Sequence, residues 1–180
     1  MLPRRLTRAG LDAQIGGAQR RRENGHGGGK TVSGHPKAEA ERLARDCIAV
    51  LAADDHASRA LDIEVVETGA GRAALRMRVT AAMANGHGLC HGGYIFLLAD
   101  SACAYAANSY DHRVVTQHAS VSFIAAGRSG DVLTARAREV SRAGRSGLYD
   151  VTVTRQDGAV IAEFRGHSRQ ISGRLLAGEG

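Results

Sequence analysis

A single acidic residue, Asp100, stands in the run Phe96-Leu97-Leu98-Ala99-Asp100-Ser101-Ala102-Cys103-Ala104, most of whose members belong in a protein interior. An unpaired buried carboxylate is costly, so it needs strong partners or a ligand cavity. Two readings follow. One is structural: a loop-end cap, or an ion pair to an arginine of a neighbouring sheet. The other is chemical: a general base or nucleophile held out of water. Just upstream, the loop Asn85-Gly86-His87-Gly88-Leu89-Cys90-His91-Gly92-Gly93 has glycines that let a backbone approach a ligand closely. It leads into a helix N-terminus, where free N–H groups and the helix dipole favour developing negative charge. That combination is suited to an oxyanion site.

Other chemistries fit this loop poorly. A dinucleotide-binding turn would need a third glycine where His91 stands, and it would need a crossover to a parallel strand. His87, Cys90 and His91 crowd three candidate metal ligands into five residues without an anchoring fourth, so no metal is expected. Loop hydrogen bonding is the better use of both histidines.

The elements that must position these residues can be read from periodicity. From Lys37 to Asp55, Ala40, Leu43, Ala44, Cys47, Ile48 and Leu51 recur at three- and four-residue steps, which predicts an amphipathic helix. Leu61 to Thr68 and Arg72 to Thr80 alternate in polarity about Gly69-Ala70-Gly71 and predict a hairpin. Tyr94 to Tyr110 has almost no polar face and predicts a helix enclosed by other structure. Four strands are expected after it: Val114 to Ala126, Asp131 to Arg142, Ser146 to Gln156 and Ala159 to Ile171. Their separators, Gly127 to Gly130, Ala143 to Arg145 and Asp157-Gly158, have the composition of short hairpin turns. An α+β fold, one antiparallel sheet wrapped around a long apolar helix, satisfies this order.

That arrangement has a geometric consequence. Gly92 and Asp100 are separated by eight residues, or about 12 Å along a helix. One reacting carbonyl cannot touch both within a single chain. Two such helices packed antiparallel about a two-fold axis would set Gly92 of one subunit beside Asp100 of the other.

The bulk properties are compatible with this. The chain has 180 residues, 43% of them apolar, enough for one core and one domain. Three irregularly spaced cysteines, Cys47, Cys90 and Cys103, read as buried free thiols. No run approaches the roughly 18 apolar residues of a membrane span, and the N-terminus lacks a secretory apolar stretch, which points to the cytoplasm and away from membranes. Residues 1–36 carry seven Lys/Arg against two acids, +5, leaving only +1 of the net +6 to the other 144 residues. With 4% aromatics there are few stacking platforms, so nucleic acid is not an expected partner. The glycine- and arginine-rich segment 1–36 reads as a disordered basic arm, with the domain over 37–174 and a tail over 175–180. A transit peptide is the alternative for the arm, although its glycines interrupt an amphipathic helix.

The stretches Asn85-Gly86-His87, Cys90-His91-Gly92-Gly93, Leu98-Ala99-Asp100 and Ala104-Tyr105-Ala106 resemble the hydroxyphenylacetyl-CoA thioesterases of the PaaI group, in the hot-dog superfamily. Gly147-Leu148-Tyr149-Asp150 and Phe164-Arg165-Gly166-His167-Ser168 are also similar to that group, so the resemblance runs from about Lys37 to Arg174. It implies hydrolysis of an aryl- or arylacetyl-CoA to free acid and coenzyme A, with Asp100 as nucleophile or general base and the Gly92 amide holding the carbonyl oxygen. It further implies that Asn85 orients substrate or water and that His91 shapes the loop. In other hot-dog thioesterases a threonine one turn beyond the acid assists; that position is Ala104, which leaves Ser101 or water. The coenzyme A phosphates would meet Arg142, Arg145, Arg165 and Arg169, at strand ends or late strand positions. No cofactor is implied beyond the coenzyme A of the substrate, and the assembly is a homodimer at minimum, with a homotetramer suggested. The alternatives are a non-catalytic acyl-CoA-sensing hot-dog domain and a thioesterase for medium-chain acyl-CoA.

Overall fold

The computed structural model describes residues 36–176. The basic arm expected over 1–36 therefore lies, apart from Pro36, outside the described residues, as does 177–180 of the tail. α1 (Pro36–Asp54) opens on a proline, which suits a first helical position because its missing N–H would have had no partner there. It buries Ala44, Cys47 and Ile48, part of the stripe its periodicity predicts. The short helix α2 (His56–Ala60) follows, unforeseen in the sequence. Its cap is Asp55, whose Oδ1 accepts the Ser58 N–H at 2.9 Å. The expected strand start at Leu61 gives way to the end of α2: Leu61 caps it, Asp62 turns through φ 51°, and pairing begins only at Glu64.

β1 (Glu64–Gly69) and β2 (Arg72–Arg78) form the predicted hairpin, with Gly71 at φ +68°. After a 3₁₀ turn at Ala81–Met83 and the glycine loop comes α3 (Gly92–Ala107). β3 (Val114–Phe123), β4 (Val132–Ala143), β5 (Ser146–Arg155) and β6 (Val160–Gln170) complete one antiparallel sheet in the order β1-β2-β4-β5-β6-β3.

One expected hairpin does not form. β3 pairs with β6 at the sheet edge, while β4 lies between β2 and β5, so Gly127–Gly130 belongs to a crossing segment. Turn composition reports that a chain reverses, but it does not say which strand it joins. The crossing is fastened by Ile124 and Ala125 amides donating to the Ile161 carbonyl and by the Cys90 N–H donating to the Gly127 carbonyl at 2.8 Å.

α3 lies across one face of the sheet, packed on β2, β4, β5, β3 and β6. Its inward side, Ile95, Leu98, Ala99, Ala102, Cys103 and Ala106, meets Leu75, Met77, Leu133, Val151, Val153 and Phe164. Full burial of a residue such as Leu98 contributes about 1.5–3 kcal/mol. The helix and sheet approach closely at Gly166, where an added Cβ would stand 2.5 Å from the Cys103 sulfur. The expectation of a helix enclosed all round holds only on the sheet side. Phe96, Leu97, Asp100, Ser101 and Ala104 stay half-buried and form a stripe along α3 that the described residues do not fully cover. No helix among the described residues is long and apolar enough to cross a membrane.

Candidate active site

The loop before α3 is built around Asn85. Its side-chain oxygen accepts the N–H groups of His87 at 2.9 Å and Leu89 at 3.2 Å, its own N–H donates to the Leu89 carbonyl at 2.7 Å, and Gly88 takes φ +71°. An aspartate or asparagine side chain can fold a backbone back on itself in this way. The loop is tied down further by His91 N–H, which donates to the Met83 carbonyl at 2.9 Å. His91 is also the N-cap of α3: its Nδ1 accepts the Gly93 N–H at 3.0 Å, and its carbonyl accepts the Tyr94 N–H at 3.0 Å. His87 enters these bonds through its backbone.

With Gly93 and Tyr94 bonded to His91, the Gly92 N–H is the first-turn donor without an acceptor among the described residues. Helical geometry supplies no carbonyl for it. An added Cβ at Gly92 would come within 2.9 Å of the Phe123 ring, so a side chain here would displace that aromatic from the helix end. Asn85, Leu89, Gly92, Ile95, Phe123 and Ile124 line a cavity of about 420 Å³ at this end of the helix. It has an oxyanion-competent donor at its base and an apolar wall in Phe123 and Ile124, both more than half exposed.

Asp100 lies two turns further along. Its Oδ1 is buried and makes no hydrogen bond among the described residues, and none of the ion pairs between described residues includes it. The sheet-arginine pairing and the loop-end cap that the sequence allowed are thus not how this carboxylate is used. Beside it, burial and the Asp100 charge push the Cys103 thiol up to about 12, and burial also raises Cys47 and Cys90. Thiols held protonated in this way are poor nucleophiles. No group of three potential ligands that could hold a metal occurs among the described residues.

One hydroxyl adjoins the acid in the chain: Ser101 is its neighbour on α3. Ser101 Oγ lies 3.3 Å from Ser58 Oγ, and Asp55 completes that contact.

The structure does not bring all the named residues together. Asn85, His91 and Gly92 share the helix end, while Asp100 is absent from the cavity there. Of the four arginines, Arg142 and Arg145 line a second cavity of about 240 Å³ with His112, Tyr149 and Ser168. Arg142 stacks on the Tyr110 ring at 3.7 Å. Arg169 reaches Ser146 at the rim, at 3.3 Å. Arg165 lies apart, paired with Asp150 at 2.6 Å on the open face of the sheet, where it pulls the Asp150 carboxyl below the usual range.

A family model described as the thioesterase superfamily matches residues 87–162. The acyl-coenzyme A thioesterase PaaI of Escherichia coli (strain K12) is 39% identical over 122 residues, which are 68% of this chain and 87% of that protein. The structure of the E. coli PaaI protein from the phenylacetic acid degradation operon has 36% identity and a TM-score of 0.74, covering 75% of this chain and 98% of that one. A Streptococcus mutans protein bound to acetyl-CoA has 28% identity and a TM-score of 0.60, covering 62% of this chain and 90% of its own. By sequence and by fold, this chain belongs to the PaaI-like thioesterases of the hot-dog superfamily.

Proposed function

We propose that the chain hydrolyses an acyl-CoA, in particular an aryl- or arylacetyl-CoA, to the free acid and coenzyme A. The observation that carries this reading is Asp100: a carboxylate with one oxygen buried and unbonded among the described residues, on the uncovered stripe of α3. A buried polar group left without a partner costs about 1–3 kcal/mol, more when charged. A fold retains that cost where the group has chemistry to perform.

The working site is composite. Gly92 and Asp100 are eight residues apart on α3, about 12 Å along the axis, so the reaction centre combines Gly92 of one protomer with Asp100 of its partner. The half-buried stripe of α3 and the edge strand β3, with Val115 46% exposed, are the surfaces such a dimer would cover. A dimer of dimers is the assembly that the family resemblance favours. In the reaction the Gly92 N–H and the helix dipole stabilise the negative charge that develops on the carbonyl oxygen. Asp100 either takes the proton of the attacking water and returns it to the departing sulfur as the carbon–sulfur bond breaks, or attacks the acyl carbon itself. In the second case the coenzyme A thiolate leaves, and a water then cleaves the acyl–Asp100 anhydride to release the acid and restore the carboxylate. The proton that water gives up ends on the thiolate.

Arg142, Arg145 and Arg169 are the better candidates for the phosphates of coenzyme A, since they gather around one cavity near the C-terminal end of α3. Arg165 is already committed to Asp150. A panel of aryl-, arylacetyl- and straight-chain acyl-CoAs, read by release of free thiol, tests the reading. The expected result is turnover with highest kcat/KM on arylacetyl thioesters. Best turnover on medium-chain substrates would replace the acyl assignment, and binding without turnover across the panel would make the chain a sensor.

A further inference from the structure

Asp55, at the foot of α2, is surrounded by donors. Its Oδ1 accepts the Ser58 N–H at 2.9 Å, and its Oδ2 accepts the Ser58 hydroxyl at 2.6 Å and the Tyr105 hydroxyl at 3.0 Å. Burial works against the charge on Asp55, but these bonds outweigh it and hold the carboxyl below its usual range. Ser58 and Tyr105 are 4% and 3% exposed, so the network is sealed from water on that side.

The polarity of the chain of hydroxyls then follows by counting protons. A serine hydroxyl has one proton to give. Ser58 gives its proton to the Asp55 carboxylate, which can only accept. The contact between Ser58 Oγ and Ser101 Oγ at 3.3 Å therefore has Ser101 as its donor. With its proton directed inward, Ser101 has only lone pairs to present on its other side. Ser101 is half-buried, and it directly follows Asp100 on the uncovered stripe of α3.

We propose that Asp55, acting through Ser58, fixes the Ser101 hydroxyl as an acceptor that positions the hydrolytic water beside Asp100. It rests on the reading above that Asp100 drives thioester hydrolysis. The water would donate one hydrogen to Ser101 Oγ and the other to the Asp100 carboxylate, which aims an oxygen lone pair at the acyl carbon. As that oxygen bonds the carbon, the proton shared with Asp100 passes to the carboxylate. The carbon–sulfur bond then breaks, and the proton is returned to the departing sulfur. Ser101 keeps its own proton throughout, so it is a positioning residue.

The test compares the full chain with Ser101→Ala and Ser58→Ala on the acyl-CoA that the unmodified protein turns over best, with kcat, KM and Tm measured for each. Misplacing a reacting group by about 1 Å can cost on the order of 100-fold. Ser101→Ala is accordingly expected to lose about 10-fold or more in kcat with KM and Tm near wild type. Ser58→Ala, which leaves Ser101 in place but frees its rotor, is expected to show a smaller loss of kcat, again with KM held. A folded Ser101→Ala protein with wild-type kcat overturns the proposal while leaving the hydrolase reading intact. So does a loss that appears as raised KM and lowered Tm, the pattern of a purely structural hydroxyl. An effect at Ser101 with none at Ser58 overturns the relay from Asp55. An unmodified protein that turns over no thioester removes the underlying reading, and this proposal with it.

Discussion

Asp55 and Asp100 belong to two regions that meet through Ser58 and Ser101, yet the two regions treat a carboxylate in opposite ways. Around Asp55 three donors converge, and every one comes from α2 or α3. Around Asp100, Oδ1 is buried without a bond among the described residues. Asp111 follows the Asp55 pattern at the other end of the domain. Its carboxylate accepts the Leu175 and Leu176 amides at 3.0 and 2.8 Å and Arg174 Nε at 2.6 Å, which ties the C-terminal segment to the turn after α3. Satisfied carboxylates of this kind fix the groups around them, Asp111 the C-terminal segment and Asp55 the Ser58 and Tyr105 hydroxyls; the unsatisfied one is available for chemistry.

The largest effect should come from Asp100→Asn. The amide is nearly isosteric but can neither attack nor take a proton, so kcat should fall by about 100-fold or more. Because the substitution removes a charge that has no partner among the described residues, Tm should equal or exceed that of wild type. Thiol-release kinetics with thermal unfolding of the same preparation checks both halves. Near-wild-type kcat in a folded Asp100→Asn protein would erase the distinction between the two carboxylates.

The second effect is a recovery. Gly92→Pro removes the free N–H at the helix start and should be inactive as well. If each site takes Gly92 from one chain and Asp100 from the other, a mixed dimer of the two inactive variants has one site with both defects and one with neither. An equimolar, fully exchanged mixture should then regain about a quarter of wild-type activity, because half the dimers are mixed and each has one intact site. Activity that stays at the level of the separate variants after demonstrated exchange would place both groups in one chain's site.

Asp111→Ala should act on stability instead. It leaves two amides without their acceptor and releases Arg174, at a cost of about 1–3 kcal/mol, while kcat stays near wild type well below Tm. The pH dependence has a definite sign. Burial disfavours the Asp111 charge, but the Leu176 amide, Arg174 and the Leu175 amide outweigh it and lower its pKa in the fold. A lowered folded value contributes stability that is present above the unfolded carboxylate pKa, about 3.9, and is lost as pH falls through the folded value. Asp55 behaves likewise. Tm measured from pH 7 downward should therefore hold until about pH 4 and then drop, with a shallower acid drop in Asp111→Ala.

Much of this contrast was legible in the sequence, and the missing part has a physical cause. Asp100 stood out because an acid in an apolar helix conflicts with its surroundings, and the order of the two long helices and the six strands followed from local periodicity. Asp55 gave no such signal: its donors, Ser58 and Tyr105, are respectively too close in the chain and too far along it to form a recognisable pattern. The placement of β3 beside β6 was hidden for the same reason, since pairing between distant strands leaves no mark on turn composition. The arginines shared the difficulty: strand ends were readable, but only the sheet order separates Arg142 and Arg145 at one cavity from Arg165 beside Asp150.

The smallest effect should come from removing residues 1–35. Every residue of the composite site and its supporting network, from Asp55 just after α1 to Arg169 on β6, lies beyond that segment, as do all the helices and strands described. The segment carries nearly all the excess positive charge of the chain. Its contribution should therefore be to encounter: a cationic arm raises the association rate of an anionic thioester at low ionic strength, and salt screens the effect over a Debye length of about 8–10 Å. The truncated chain is expected to match wild type in kcat at all salt concentrations and in kcat/KM at high salt, with at most a modest deficit in kcat/KM at low salt. A truncated protein that loses kcat at high salt would mean that the segment supports the catalytic residues directly, and the division between the Asp55 and Asp100 regions would then have to include a third.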